Sequence, residues 1–495
     1  MFDNKEFLKE LNIDYLLVNC TNEFLVEYSQ LSENSRYKLT GFSGSTGDAL
    51  VTKDNIYLFV DGRYHIQAEQ EAFENIKIVK LQMGQNQDDE IKKIIKPWKK
   101  LGIVAKKVSQ ARIEKFKWQR KKLLDIDPIN NYTEKHSNNY ISAFPKIKLN
   151  NKNNIFISNL EEVSYITGYR DFSNDYSSKI WAKMIIHKDD YIIFTDTKAC
   201  ENYLKNFKDK LFVDKNSINA YDYSLIKKPI AKISQIKTLK SIKTSSEILA
   251  YKEAFKRTDN VLMNTRSYIE SNDNLSEADI ESYLRNEFYK SGAKSLSFKP
   301  IVAINENSAL AHYSKCSREK VLNDGDLVLI DCGAYYESGL ATDITRVFVK
   351  GKATDIQKKV YTTVLRAFLH SFNSTFKTGY EIDTQAHNIL DNSIENFVFS
   401  HGLGHGIGIN VHEAPPALNK SKIAKTVIQD GMCFTIEPGL YNPNLFGIRL
   451  ENSCYKNDGK IYSFVKMGYE GKLIDYSLLS EQEKEWLKEF EILWL

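Results

Sequence analysis

Three of the nine histidines in this chain lie within twelve residues, in a segment rich in glycine. The segment reads His401-Gly-Leu-Gly-His405-Gly-Ile-Gly-Ile-Asn-Val-His412-Glu413. Imidazole is the commonest protein metal ligand and titrates near neutral pH. Glycine between such groups lets a substrate or a metal approach the backbone closely. The segment therefore predicts a functional site.

Four acidic residues next to apolar, strand-like segments indicate which kind of site this is. They lie on both sides of the histidines and, with His405, fall within 121 residues: Asp331, Asp343, Glu437 and Glu451. Any one of them alone is more simply interpreted as a salt-bridged strand end, but the set favours a metal site. Four buried carboxylates cannot share a pocket unless they are protonated or neutralised, and two divalent cations supply the matching charge.

The ligand types also indicate the metal and the chemistry. One imidazole among four oxygen ligands favours manganese, with zinc or cobalt as alternatives. Paired metals suit hydrolysis, because they acidify a bridging water and stabilise the tetrahedral intermediate. The sequence thus predicts a dinuclear hydrolase.

Bulk properties exclude several other classes of protein. A chain of 495 residues suggests roughly two to four domains. The net charge of +4 is mild and lysine and glutamate look interspersed, so we expect no nucleic-acid partner. No apolar run reaches the roughly 20 residues that span a bilayer, and no secretory signal is visible, so we expect no membrane partner. Six scattered cysteines without a C-x-x-C pair are typical of the reducing cytoplasm.

The elements that must position the site follow from hydrophobic pattern and capping residues. Residues 15–18 and 56–60 are apolar runs that predict strands. A capping box opens a long helix over 244–270. Two further helices are predicted near 355–374 and 383–397, among the short strands that dominate after Phe298.

Taken together, the motifs resemble those of the aminopeptidase P (Xaa-Pro aminopeptidase) family of dinuclear metallopeptidases. The resemblance rests on Asp331, Asp343-Ile-Thr-Arg346, the histidine segment, Ile436-Glu437-Pro-Gly439 and Arg449-Leu-Glu451-Asn452. It implies an α+β chain with a C-terminal pita-bread catalytic domain after two α/β creatinase-like domains. The implied domains are 1–137, 138–239 and 240–495, and a homodimer is also implied.

The resemblance also implies roles for individual residues. Asp343 and Glu451 would bridge two metal ions, Asp331 would complete one metal site, and His405 and Glu437 would complete the other.

Further roles concern the substrate and the proton. His312 would bind substrate, and His401 and His412 would line the site and assist proton transfer. Arg449 would lie beside the bridging glutamate and contribute to substrate binding. Glu437 is the expected general base and acid.

The implied reaction is exopeptidase cleavage of peptides with proline in the second position, by a metal-bridging hydroxide that attacks the Xaa-Pro bond. A prolidase, which cuts Xaa-Pro dipeptides, is one alternative. A non-catalytic pita-bread protein that binds peptides or partners is another.

One departure from the family pattern concerns the gap between Asp331 and Asp343, which is one residue longer than expected. Because strand side chains alternate, an uncompensated insertion would turn one aspartate away. We expect the extra residue in the turn near Ser338-Gly339-Leu340, or in a bulge.

Overall fold

The computed structural model describes residues 3–82, 84–132, 139–147, 152–188 and 190–493. Its backbone divides into two compact units. The N-terminal unit comprises Met1–Tyr169 and Ile180–Ile236, and the C-terminal unit comprises Arg170–Lys179 and Lys237–Leu495. The predicted boundary at 137/138 lies outside the described residues, so the three-domain division stays a prediction.

The N-terminal unit contains two large sheets with helices between their strands. Its helices are α1 (Asn4–Glu10), α2 (Ser35–Thr40), α3 (His65–Glu71), α4 (Gln87–Ile94), α5 (Gln110–Lys115), α6 (Leu160–Thr167), α7 (Thr197–Asn206) and α8 (Ala220–Leu225). Its strands are β1 (Tyr15–Val18), β2 (Ala49–Val51), β3 (Ile56–Val60), β4 (Ile76–Lys80), β5 (Lys100–Val104), β6 (Arg120–Leu124), β7 (Tyr140–Ser142), β8 (Asn154–Ile157), β10 (Lys183–His187), β11 (Asp190–Phe194), β12 (Leu211–Val213) and β13 (Pro229–Ala231). Strand β9 (Tyr169–Asp171) begins at the last residue of the segment Met1–Tyr169, and its Arg170 and Asp171 belong to the C-terminal unit.

Both sheets are mixed, and both predicted strands of the first sheet are confirmed. The first has the order β4-β3-β2-β1-β5-β6, with β6 at one edge. The second has the order β11-β10-β8-β12-β13. Apolar side chains of β1 to β3, such as Leu16, Val51 and Leu58, are fully buried, which explains why these short runs form the centre of the sheet.

The C-terminal unit is built of longer helices around an antiparallel sheet. The helices are α9 (Ile236–Ser241), α10 (Ser245–Ser271), α11 (Glu277–Lys290), α12 (Asp355–Phe372), α13 (Gly379–Leu390) and α14 (Glu481–Leu487). The strands are β14 (Ser295–Leu296), β15 (Ile301–Ile304), β16 (Leu327–Cys332), β17 (Ala334–Tyr335), β18 (Ile344–Val349), β19 (Gly404–His405), β20 (Ala417–Leu418), β21 (Cys433–Ile436), β22 (Gly439–Tyr441), β23 (Gly447–Arg449), β24 (Glu451–Asn457), β25 (Lys460–Ser463), β26 (Tyr469–Glu470) and β27 (Ile492–Leu493).

Capping residues account for the helix boundaries of this unit. The predicted capping box of α10 is confirmed. The Thr244 side chain accepts a hydrogen bond from the Glu247 N–H, and the Glu247 carboxylate accepts one from the Thr244 N–H. The prediction for α13 was wrong at both ends. A capping box at Thr378 starts α13 at Gly379, and Asp391 leaves the helical conformation directly after Leu390.

The main sheet of the C-terminal unit has the order β15-β16-β18-β24-β21, with β25 beside β24. Leu327 and Leu329 on β16 belong to the same buried apolar cluster as Val364 and Phe368 on α12. Asp331 follows on the same face of β16, because side chains alternate along a strand. One face of the sheet therefore changes from apolar core to charged site along its strands. Within the described residues, no helix is both long and apolar enough to cross a bilayer.

Candidate metal centre

Strand register brings three of the predicted carboxylates to one face of the sheet. Asp331 on β16 lies opposite Thr345 on β18, and Thr345 lies opposite Glu451 on β24. Opposite residues of antiparallel strands share a face. Asp343 precedes Thr345 by two positions and therefore faces the same way.

Glu437 and His405 complete the cluster from two other segments. Ile436 pairs with Asn452 in antiparallel strands. Glu437 follows Ile436 and Glu451 precedes Asn452, so these two acids lie opposite each other. The His405 Nε2 atom lies 3.5 Å from Asp343 Oδ2 and 3.5 Å from Glu437 Oε1. Ligand atoms of Asp343, His405 and Glu451 lie within 4.8 Å of one another, which is close enough to share an ion.

The longer spacing between the two aspartates does not disturb this face. Cys332 pairs with Ile344, and the bridge between Tyr335 and Ala341 keeps the same register. The extra residue therefore lies in the turn 336–340, as expected, and not in a bulge. Gly339 takes a left-handed conformation there, with φ +64°, and donates its N–H to Tyr336 O.

Three of these carboxylates are buried, and burial disfavours their charged form. Burial raises the pKa of Asp331, and burial together with Glu451 raises the pKa of Asp343 well above its usual value. Burial together with Glu437 does the same for the pKa of Glu451. Neither Asp331 Oδ1 nor Glu451 Oε1 accepts a hydrogen bond from the described residues. Acceptor oxygens that repel one another and lack donors fit bound cations, so the donor set suits divalent metals.

Arg449 on β23 organises this face from the side. Its Nη2 donates to Asp331 Oδ2 at 2.6 Å, and its Nε donates to Thr345 Oγ1 at 3.2 Å. The Thr345 hydroxyl in turn donates to Glu451 Oε2 at 2.8 Å. Although burial alone would lower it, the pKa of Arg449 is raised by Tyr441 and Asp331. Arg449 therefore orients two of the carboxylates while remaining charged.

Tyr441 links this network to the histidine segment. Its hydroxyl lies 3.0 Å from Arg449 Nη1 and 2.7 Å from His401 Nε2. Burial raises the pKa of Tyr441 to about 12, so the phenol keeps its proton and donates to the imidazole. Sequence reasoning missed Tyr441 and Thr345, because neither carries a charge that would mark a metal site.

The other predicted histidines lie around the carboxylates. The Nδ1 atom of His405 is 3.1 Å from Gly406 O, which directs Nε2 towards the acids. The rings of His405 and His412 meet edge to face at 4.3 Å. The turn that carries His312 packs against Tyr441 through Ala309 and Ala311.

Glu277 fixes the loop that carries His312, and the sequence did not single it out. Its carboxylate is fully buried and accepts four hydrogen bonds. The donors all lie between residues 304 and 317, namely Ile304 N (2.8 Å), Asn307 Nδ2 (2.9 Å), Tyr313 Oη (2.7 Å) and Ser317 N (2.9 Å). Contacts of this kind join distant segments and carry no local sequence signal.

Glu413 fixes the histidine segment from within. Its Oε1 lies 3.1 Å from both Lys240 Nζ and Lys243 Nζ, and all three side chains are nearly fully buried. Its Oε2 accepts the N–H groups of Ile409 and Asn410 at 3.0 and 3.3 Å. Burial opposes ionisation, but the two lysines outweigh it and lower the pKa of Glu413 to about 2.

Two family models and several curated proteins match long parts of this chain. Residues 250–456 match the model of metallopeptidase family M24, and residues 4–132 match the Creatinase/Prolidase N-terminal domain. The probable Xaa-Pro aminopeptidase P of Laccaria bicolor is 26% identical, over 98% of this chain and 88% of that protein. Xaa-Pro aminopeptidase 1 of Dictyostelium discoideum is also 26% identical, over 98% of this chain and 90% of its own length.

A solved structure shares the fold. The X-prolyl aminopeptidase of Caenorhabditis elegans, described as a cytosolic enzyme with a di-nuclear active site, superposes with a TM-score of 0.87. The match covers 98% of this chain and 93% of that one, at 18% sequence identity. The two chains therefore have the same fold from end to end.

Proposed function

We propose that this chain, whose residues 250–456 match metallopeptidase family M24 and whose residues 4–132 match the Creatinase/Prolidase N-terminal domain, removes the N-terminal residue from peptides with proline in the second position. The main support from its own structure is the buried face of carboxylates, on which Asp331 Oδ1 and Glu451 Oε1 accept no hydrogen bond from the described residues. Full-length similarity to proteins named Xaa-Pro aminopeptidase supports the substrate class.

The metal-holding residues are Asp331, Asp343, His405, Glu437 and Glu451. Two divalent cations held there would supply Lewis acidity and an acidified water for attack on a peptide carbonyl. The single imidazole among oxygen ligands favours manganese over zinc. We also propose a homodimer in the cytoplasm, where the six free cysteines would stay reduced.

Glu437 is the residue best placed to move the proton. Its backbone N–H is fixed to Leu403 O at 2.8 Å, and its carboxylate faces His405. Unlike Asp343 and Glu451, its side chain retains 18% exposure, so it can exchange a proton with a bound peptide. The prolyl nitrogen of the leaving peptide has no hydrogen and must be protonated, and Glu437 would supply that proton with help from His412.

The remaining residues would hold the substrate and keep the acids in place. His401, polarised by the Tyr441 hydroxyl, and His412 would bind the peptide on either side of the carboxylates. His312 would contact the peptide from the loop that Glu277 fixes. Arg449 keeps Asp331 and, through Thr345, Glu451 oriented towards the ions.

Hydrolysis assays with manganese-loaded protein test the proposal. Xaa-Pro-Xaa tripeptides should be cleaved after the first residue, and matched peptides with alanine second should be cleaved poorly. A Glu437→Gln variant should lose about 100-fold to 10,000-fold in kcat. Near-normal turnover by that variant would refute the role given to Glu437.

The same assays separate the alternatives. Cleavage of Xaa-Pro dipeptides without cleavage of tripeptides would identify a prolidase. Fully metal-loaded protein that cleaves neither would favour a binding protein. Light scattering in solution would test the dimer.

A further inference from the structure

Basic residues are concentrated in one short stretch of the N-terminal unit. Residues 92–122 contain thirteen lysines and arginines and one acid, Glu114. Because the whole chain carries only +4, the rest of it is net negative. The overall composition therefore conceals a run of basic residues along the sequence, in contrast to the interspersed lysine and glutamate that the composition suggested.

Two tryptophans of this stretch lie just before the neighbouring strands β5 and β6, of which β6 is the edge strand. Lys100 on β5 pairs in register with Arg120 on β6. Trp98 and Trp118 lie in the turns that lead into these strands, two residues before Lys100 and Arg120. The indoles meet edge to face at 6.1 Å and 74°, and Trp98 N–H donates to Trp118 O. They are 65% and 64% exposed, although burial is the usual fate of tryptophan.

The backbone of Trp98 has an unfavourable conformation, and burial of its side chain does not offset the cost. Its φ of +65° is a left-handed conformation that bulky residues rarely adopt. An exposed indole gains little from burial, so the core does not explain the conformation. Strain of this kind is more typical of a functional surface.

Seven of the thirteen cations form ion pairs with acids, and in the described part of the chain the other six do not. Lys99 pairs with Asp14 at 3.3 Å. Lys100 and Lys122 bind only the neutral acceptors Asn12 Oδ1 and Leu11 O. Among the described residues, no acid forms an ion pair with Lys96, Lys117, Arg120 or Lys121 either.

We propose that this tryptophan–lysine patch, formed by Trp98, Lys100, Trp118, Arg120 and Lys122, docks the protein peripherally onto an anionic phospholipid surface. Indoles partition into the headgroup region, and nearby lysines and arginines attract acidic lipids. This inference is independent of the proposed peptidase activity.

The side chains favour lipid over the other possible partners. A second copy pairing at the β6 edge would set its cations against Arg120, Lys121 and Lys122, and like charges on an edge strand oppose such pairing. Single-stranded nucleic acid needs open aromatic faces for stacking, but the edge-to-face contact covers a face of one indole. Exposed aliphatic side chains follow on the same edge, with Leu123 40% and Ile126 75% exposed, and these suit an acyl boundary.

Flotation of the full-length protein with vesicles tests the proposal. The protein should float with mixed phosphatidylcholine–phosphatidylserine vesicles, should not float with phosphatidylcholine alone, and should dissociate as salt is raised. Replacing Arg120, Lys121 and Lys122 together by glutamine should weaken binding roughly 100-fold. Trp98→Ala with Trp118→Ala should weaken it at least roughly tenfold while peptide hydrolysis is unchanged.

A matched control removes the same charge elsewhere in the same unit. Replacing the exposed Lys205, Lys208 and Lys210 by glutamine should leave vesicle binding intact. No binding to the acidic vesicles, or equal loss in this control, would overturn the proposal. Loss of binding to a single-stranded RNA oligonucleotide in the patch variants, without any vesicle binding, would overturn it in favour of nucleic acid.

Discussion

Replacing Glu413 by glutamine removes one buried negative charge from the histidine segment. The variant leaves Lys240 and Lys243 buried, 5% and 2% exposed, without this carboxylate between them. An amide also offers N–H donors where Lys240, Lys243 and the backbone N–H of Ile409 need an acceptor. We therefore expect a loss of stability together with displacement of the neighbouring His412.

The size of the effect follows from the pKa of Glu413. Its value of about 2, against the usual 4.5, corresponds to ~3 kcal/mol of stability at neutral pH. Loss of one partner from a buried ion pair costs about 3–5 kcal/mol, which agrees. Because the pKa is depressed, this contribution is present above about pH 4.5 and is lost as the pH falls towards 2.

Urea denaturation of the wild-type and Glu413→Gln proteins at neutral pH and near about pH 3 measures this contribution. The difference in free energy of unfolding should be ~3 kcal/mol at neutral pH and should shrink on acidification. Replacing the exposed Glu395 by glutamine is the matched control and should change stability by less than about 0.5 kcal/mol. A Glu413→Gln difference below about 1 kcal/mol, or one that does not depend on pH, would refute the reasoning.

Three further predictions concern the site. Tyr441→Phe removes the hydroxyl that binds His401 and Arg449, so kcat/KM should fall about tenfold while elemental analysis finds unchanged metal content; wild-type kinetics would contradict this. Glu277→Gln leaves one acceptor oxygen where the carboxylate has two, so the loop that carries His312 should be held less firmly. KM should therefore rise more than kcat falls, and urea denaturation should show a loss of ~2 kcal/mol in the free energy of unfolding. An effect on kcat alone would contradict the link to His312. Removal of metal by a chelator should abolish hydrolysis. Since the pKa values of Asp343 and Glu451 are raised, thermal unfolding of the metal-free protein should show stability falling as pH rises above about 4.5, and restored metal should remove that slope. A metal-free protein whose stability is independent of pH would contradict the burial of these charges.

The ligand face could be predicted because strands have a two-residue period and acids stand out against apolar runs. Asp331 and Asp343 could be assigned to neighbouring strands from the sequence alone, and the register confirms that they share a face. The helix near 383–397 was misplaced because the capping box at Thr378 was not recognised. Once it is, the start of α13 follows from the sequence.

The supporting residues could not be predicted in the same way. Glu277 binds donors 27 to 40 residues away, and Thr345 reaches Glu451 across 106 residues. Such partners depend on how segments pack, which neither periodicity nor composition specifies. The segment 170–179 also could not be assigned from the sequence. It lies within the second predicted domain, 138–239, but its backbone belongs to the C-terminal unit.

The shared face of β16, β18 and β24 also constrains how the chain reaches its native state. Pairing of Thr345 with Glu451 closes a loop of about a hundred residues, and contacts of such long range form slowly. In the absence of metal, mutual repulsion of the acids opposes that closure. Bound cations would then stabilise the native register selectively, because only a chain with every strand in register brings all the ligand oxygens together. Refolding with manganese present should therefore give a higher yield of active protein than refolding followed by manganese addition.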